Sequence, residues 1–562
     1  MKRVTLFTAG LATLLVAALG AMPSKTPNEP IDYASLTRIR AEGLQNSQVM
    51  ELASWMTDVY GPRLSGSPNI QKAGEWAVAT MKDWGLENVA MEPWANQTMF
   101  PRGWTNDKFY LAAVSPQAFP MTGMSTAWTP GTNGLVRGDA VLVTSNDEAE
   151  LKKLSGTLRG KWVLTDPAPD VAAFWTPTAT RYTKEQLDEL ELGTPRAPEF
   201  GTVPPAAGRA GGAGAGAGRG GGAPGAAPFD RTAFFMAEGV AGVLTTHPRG
   251  HGNFRIGGAN RGADPATLLP SIVVVAEHYG RVVRMLEKNL PVQIEADIRN
   301  TYHPNPTMFD VVGEIRGTDR ADEIVMLGAH FDSWHPGTGA TDNAAGSAAM
   351  MEAMRILKAS GVPLRRTVRL ALWNGEEQGL IGSRDYVAKH FVSTSAPGAG
   401  APVGGAARGV GGGRGAAAGP MQFTPAHAKF SGYFNIDNGG GAIRGIYLQG
   451  NQAVAPIFRA WIEPLRDIGV THVTIRNTGG TDHQSFDGVG LPGFQFIQDP
   501  LEYSSFTHHS NMDTYERLQP DDMRKNATIA AIFAFLTANR DDLLPRKPMP
   551  TPGAGRGGRG GN

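Results

Sequence analysis

From about residue 308 to residue 540, apolar strand-like runs alternate with amphipathic helical patterns, and this alternation narrows the folds open to the chain. MFDVVGEIRG and DEIVMLGAH read as strands. A long helix is expected over 342–358, and RRTVRLALWNGEE carries a third strand whose apolar run suits burial on both faces. The pattern continues through a helix starting at 379, FSGYFNID, GIYLQG, a helix over 453–467, THVTIRN, GFQFIQ and a closing helix over 520–540. Alternation of this length predicts an α/β fold: a mixed, largely parallel sheet flanked by helices.

At 562 residues the chain exceeds one ordinary core, so a second unit is required. Residues 31–130 carry two helical patterns, MELASWMTDVY and QKAGEWAVATMKDW, around the turn-rich GPRLSGSP; residues 100–130 are Pro- and aromatic-rich and give no clear pattern. Short strands dominate 131–300, including AVLVT, KWVLT and LPSIVVV, and predict a β-rich inserted module. The main domain would then resume over 301–545. Residues 203–228, 395–420 and the tail over 546–562 are Gly-rich with scattered Arg, a composition that cannot bury enough apolar surface to order itself.

The N-terminus has a basic start at Lys2 and Arg3, an apolar run to about Leu19, and small residues before Ala21. That is the form of a secretory signal peptide over 1–21 and predicts export to the periplasm or the exterior without a membrane anchor. The 52 basic and 52 acidic residues balance, which argues against a nucleic-acid partner. There is no cysteine, so disulfides are excluded and any metal must be held by oxygen and imidazole ligands.

Chemistry-bearing residues fall at the predicted strand ends. His330 and Asp332 stand two apart in GAHFDS and point the same way. Either ring nitrogen of His330 can bind a metal, with Asp332 accepting the other N–H. Asp342 opens the helix of GATDNAAG; it is either a helix N-cap or a carboxylate bridging two ions. Glu376 and Glu377 follow a buried strand in WNGEEQG, where adjacent acids are costly unless they face water or metal. One can ligate while its neighbour faces a water. Asp437 follows FNI, and His508 and His509 precede Asp513, with only one of the two histidines expected to ligate. The set suits two divalent ions and a general base, hence hydrolysis of an amide or peptide bond.

These motifs resemble the co-catalytic zinc exopeptidases, the family of bacterial leucyl-type aminopeptidases, glutamate carboxypeptidase and carboxypeptidase Q. GPRLSGS and HFDSWHPGTGATDN are most similar to the carboxypeptidase Q branch, and the insert resembles a protease-associated domain. The resemblance implies two Zn2+ held by His330, Asp342, Glu377, Asp437 and His509, with Asp342 bridging and Glu376 as general base. It also implies a cis Asp342–Asn343 bond and peptide substrates. Asp332 and Asp513 would support the ligands. Trp334, Asp482, His483, Phe486, Tyr503 and His508 are candidate pocket residues. Aminopeptidase, carboxypeptidase and dipeptidase activity all remain open, and a homodimer is compatible with the sequence. The alternatives are a single-zinc acyltransferase of the glutaminyl cyclase type and a non-catalytic binding homologue.

Overall fold

Strand Arg366–Trp373 shows how the main sheet is built. Side chains alternate across a strand. Val368, Leu370 and Leu372 therefore face one apolar cluster, while Ala371 and Trp373 face another. The first cluster is covered by helices Tyr33–Gln45, Pro68–Asp83, Ala345–Ala359 and Pro520–Asn539. Helix Ile381–Phe391 and the short helix His483–Asp487 close the second. With both faces covered, the strand has no solvent side, which accounts for its unbroken apolar run.

The computed structural model describes residues 29–193, 229–258, 260–393 and 421–548. The span 1–21 read as a signal peptide, both Gly/Ala-rich insertions and the tail beyond 548 lie outside the described residues. The main sheet has eight strands. In spatial order they are Glu87–Pro93, Phe309–Ile315, Arg366–Trp373, Arg320–His330, Phe430–Asn435, Gly493–Gln498, Ile443–Tyr447 and His472–Thr474. The four strands from Arg366–Trp373 to Gly493–Gln498 run parallel, and antiparallel pairings flank them. This is the mixed α/β sheet that the strand–helix alternation predicts.

A second eight-stranded sheet pairs Arg102–Ser115 with Gln293–Pro304 in a long antiparallel ribbon. It continues through the parallel strands Leu135–Leu142, Trp162–Leu164, Gly242–His247 and Ser271–Val275. The sheet also recruits residues 102–125, ahead of the 131–300 span read as the insert. Those residues lacked a legible pattern because the ribbon twists between solvent and two different clusters, and its burial does not alternate cleanly. Helix Lys184–Leu192, opened by a Thr183/Gln186 capping box, reaches from this part of the chain to the edge of the main sheet. There Asp188 meets His472, and the Leu190 carbonyl accepts from Thr474. Among the described residues no helix is long and apolar enough to cross a membrane.

Phe486 corrects one expectation for the pocket. It is fully buried and stacks on Tyr433 at 4.2 Å, inside an aromatic group with Phe391, Phe430 and Trp373. Its place is the core, because helix His483–Asp487 packs its apolar face against the sheet. Phe486→Ala should cost about 3–5 kcal/mol of stability, read as a lower denaturant midpoint. A change in KM with unaltered stability would return Phe486 to the pocket.

Candidate metal centre

Parallel adjacent strands deliver their C-terminal ends to one rim, where open α/β sheets build sites. Strand Arg320–His330 ends on His330, which lies in register with Trp373. Arg366–Trp373 runs on through Asn374 and Gly375 to Glu376 and Glu377. Phe430–Asn435 runs on to Asp437. The side chains of His330, Glu376, Glu377 and Asp437 therefore reach the same rim.

Asp342 arrives from a turn over Ala340–Ala344 ahead of helix Ala345–Ala359. The helix begins at Ala345 with Ala344 at its cap position, so Asp342 lies in the turn ahead of it and is not its cap; the Asp342–Asn343 peptide is cis. Asn343 ties the turn to the sheet: its amide donates to the Ile436 carbonyl at 2.9 Å, and its oxygen accepts from Gly346 N at 2.9 Å. The Asp342 carboxylate then lies between two imidazoles. Oδ1 is 3.2 Å from His330 Nε2, and Oδ2 is 3.4 Å from His509 Nε2. Asp437 Oδ1 lies 3.6 Å from His330 Nε2, and Glu377 Oε2 lies 2.9 Å from His509 Nε2. Two groups of donors converge on Asp342: His330 with Asp437, and His509 with His508.

This arrangement fits cations. Asp342 Oδ2 and Glu377 Oε1 are buried without a hydrogen-bond partner among the described residues. Burial, reinforced by the neighbouring carboxylates, holds Glu376 and Glu377 well above the usual carboxylate range. Burial also acts on Asp342, but its contacts with His330, His509 and His508 override it and keep that carboxyl low. Burial lowers His330 too, yet Asp437, Glu376 and Asp342 outweigh it and raise the imidazole well above its ordinary value.

Residues 310–534 match peptidase family M28. The chain is 24% identical over 513 residues to carboxypeptidase Q of Mus musculus, covering 91% of this chain and 90% of that protein. It is 33% identical over 157 residues to an aminopeptidase of Pseudomonas aeruginosa (strain UCBPP-PA14), 27% of each. A peptidase M28 precursor from Shewanella amazonensis SB2B shares the fold, with a TM-score of 0.60 at 20% identity, covering 92% of this chain and 98% of that one. The chain is a metallo-exopeptidase, and its residues 310–534 carry the match to peptidase family M28.

The supporting residues of this peptidase act differently from what their spacing suggests. His330 Nδ1 pairs with the main-chain carbonyl of Asp332 at 3.0 Å, while the Asp332 carboxylate stands 3.7 Å away. That carboxylate accepts instead from Ser65 Oγ at 2.8 Å, Glu376 N at 3.2 Å and Glu377 N at 3.4 Å, and so shapes the Glu376–Glu377 turn. Asp513 accepts from Thr341 N at 2.6 Å, Thr341 Oγ1 at 2.7 Å and Asp342 N at 3.1 Å. It fixes the main chain beneath Asp342, and burial together with the Asp342 charge pushes its carboxyl up to about 7.

Of the pocket candidates, Trp334, Tyr503 and His508 stand at the centre. The Trp334 ring lies 6.0 Å from that of His509, and the Tyr503 ring 4.9 Å from that of His508. Asp482 and His483 join Phe486 as corrections, since both are fully enclosed. His483 pairs both ring nitrogens with Thr481 Oγ1 and the Thr478 carbonyl. Asp482 is raised to about 7, chiefly by burial and then by Asp437 and Asp332.

Arg63 escaped the sequence reading. It is fully buried and donates to the carbonyls of Phe331 (2.8 Å), Met56 (2.7 Å), Thr338 (3.0 Å) and Gly339 (2.9 Å). It thereby clamps the loops bearing Asp332 and Asp342, and burial pulls its guanidinium down to about 10 against the charges of Asp513, Asp332 and Asp342. Its only signal was the turn-rich GPRLSGS. Asp513→Ala should weaken divalent-metal affinity about 10- to 100-fold, measured by competition with a chromogenic chelator. Unaltered affinity would remove Asp513 from the support of the rim.

Proposed function

We propose that this peptidase is a two-zinc exopeptidase acting at the ends of short peptides or on dipeptides. His330, Asp342, Glu377, Asp437 and His509 would hold the ions, with Asp342 shared. The observation that carries this reading is the Asp342 carboxylate, whose two oxygens face different imidazoles, His330 at 3.2 Å and His509 at 3.4 Å. A site for one ion would leave one of those faces, and the buried Glu377, without purpose. The donor set of imidazoles and carboxylates with no thiolate suits catalytic zinc. His509 is preferred to His508 because His508 Nδ1 is engaged by Arg255 and its Nε2 stands 3.9 Å from Asp342.

Bound there, the two ions would supply Lewis acidity toward the scissile carbonyl and bring the pKa of water toward neutrality. Glu376 is left to handle protons: it accepts one from the attacking water and returns it to the leaving amine. Its main-chain N–H is held by Asp332, which orients it without occupying its carboxylate. Trp334, Tyr503 and His508 line the substrate's approach, and the inserted module caps it. The signal-like N-terminus supports export.

Glu376→Gln should retain zinc by elemental analysis and lose about 10²- to 10⁴-fold in kcat. Retained turnover would remove Glu376 from the base role. Zinc binding should also strengthen as pH rises through neutrality. Glu377 and His330, both in the proposed ligand set, have raised pKa values, so in acid they hold protons that the metal must displace. Chelator competition at several pH values checks this, and a pH-independent affinity would contradict it.

A further inference from the structure

Residues 49–60 read VMELASWMTDVY, with two acids and no lysine or arginine. They fold as helix Val49–Ser54 running into a π-helical turn over Trp55–Val59. The wider turn sorts its side chains. Met56 and Thr57 are buried, whereas Trp55, Asp58 and Val59 stay outside, Trp55 at 37% and Val59 at 54% exposure. A π turn is rare and is frequently kept at functional sites. This one is held from inside the molecule, because Arg63 donates to the Met56 carbonyl at 2.7 Å. The same guanidinium holds the carbonyls of Thr338 and Gly339, so Arg63 bridges the turn to the loop bearing Asp342.

The outer side carries three rings. Trp55 stacks with Trp76 of helix Pro68–Asp83 (6.1 Å between centroids, planes at 20°) and with Tyr60 (6.0 Å, 28°). Tyr60 lies 5.9 Å from Trp76. None of the three residues is buried. They form an aromatic platform at the surface, separate from the metal centre.

The carboxylates beside this platform are held by neutral groups. Glu51 Oε1 accepts from Trp55 Nε1 at 3.0 Å, and Asp58 accepts from Ser54 Oγ at 2.7 Å and Thr57 Oγ1 at 3.2 Å. Tyr515 shares the neighbourhood: burial, and after it the charges of Asp58, Glu51 and Glu516, raise its phenol. Among the described residues Glu51, Asp58 and Glu516 form no ion pair, and Lys72, one turn before Trp76, pairs with none of them. Other acids on the same side of the molecule do find bases: Glu42 pairs with Arg355, and Asp467 with Arg40.

Unpaired negative charge beside open ring faces attracts a cation in two ways. The carboxylates act by charge, and the rings through the negative potential of their faces. A guanidinium suits both at once, since its plane stacks on a ring while its edge donates to a carboxylate. We propose that Trp55, Tyr60 and Trp76, with Glu51 and Asp58, form a second binding site, which takes the arginine side chains of a basic polypeptide segment.

Calorimetry on the full-length protein tests this with the peptide GRGGRG, blocked at both ends so that it offers no free terminus for cleavage. The peptide should bind, and more weakly as salt is added. Its citrulline counterpart, of similar shape but uncharged, should bind about 10-fold more weakly or less well still. Trp55→Ala should weaken the arginine peptide about 5- to 30-fold, and Trp55→Phe should recover part of the loss. Glu51→Gln and Asp58→Asn replace exposed side chains with near-isosteres; each should weaken binding and flatten its salt dependence, which decides the matter even if Trp55→Ala fails to fold. No binding, equal binding of the arginine and citrulline peptides, or affinity unaltered by Glu51→Gln and Asp58→Asn overturns the site. Displacement of the peptide by a neutral oligosaccharide such as cellohexaose overturns the choice of a cationic occupant.

Discussion

The structure turns on one electrostatic constraint. Asp342, Glu376, Glu377 and Asp437 are brought to one rim, and charge of one sign cannot be gathered out of water without compensation. His330, which those carboxylates raise well above its ordinary value, supplies part of it, and burial pushes Glu376 and Glu377 toward their neutral forms. Divalent cations would supply the rest, so the feature that makes the rim costly to fold is the one that makes it a site for metal.

Much of the surrounding structure reads as a consequence. Asp332 turns its carboxylate to the main chain of the two glutamates, and Asp513 does the same for Thr341 and Asp342. Both act on backbone N–H groups, so they set where ligand carboxylates start and leave the carboxylate oxygens free. Arg63 holds the carbonyls of the same loops from inside the core. The rim is thus held rigid by groups that do not compete for its lone pairs, as a preorganised site requires.

The second sheet supplies what the first cannot. The parallel strand ends provide acids and an imidazole. Segment 247–258 crosses to the loop over 503–513 and brings Arg255 to His508. Helix Lys184–Leu192 and the pairing of Thr180 with Leu501 anchor the same part of the chain to the main sheet. The second sheet's part of the chain is thus tied directly to the loop that carries the candidate ligand His509.

The sequence by itself determined the α/β class and the candidate ligands, because both are written locally. Apolar periodicity reports which faces are buried, and residues directly after a buried strand must sit at its end. Hence His330, Glu376, Glu377 and Asp437 were legible as neighbours before any coordinates. Tertiary structure decided the rest, because it depends on contacts between residues far apart in the chain. Phe486, His483 and Asp482 stand in a Gly-rich, polar stretch that reads as a pocket loop, and only packing against Tyr433 and its neighbours shows them enclosed. Arg63 lies 268 positions from the Phe331 carbonyl it holds, and Arg255 lies 253 positions from His508. No local pattern encodes a separation of that size; the fold brings those partners together.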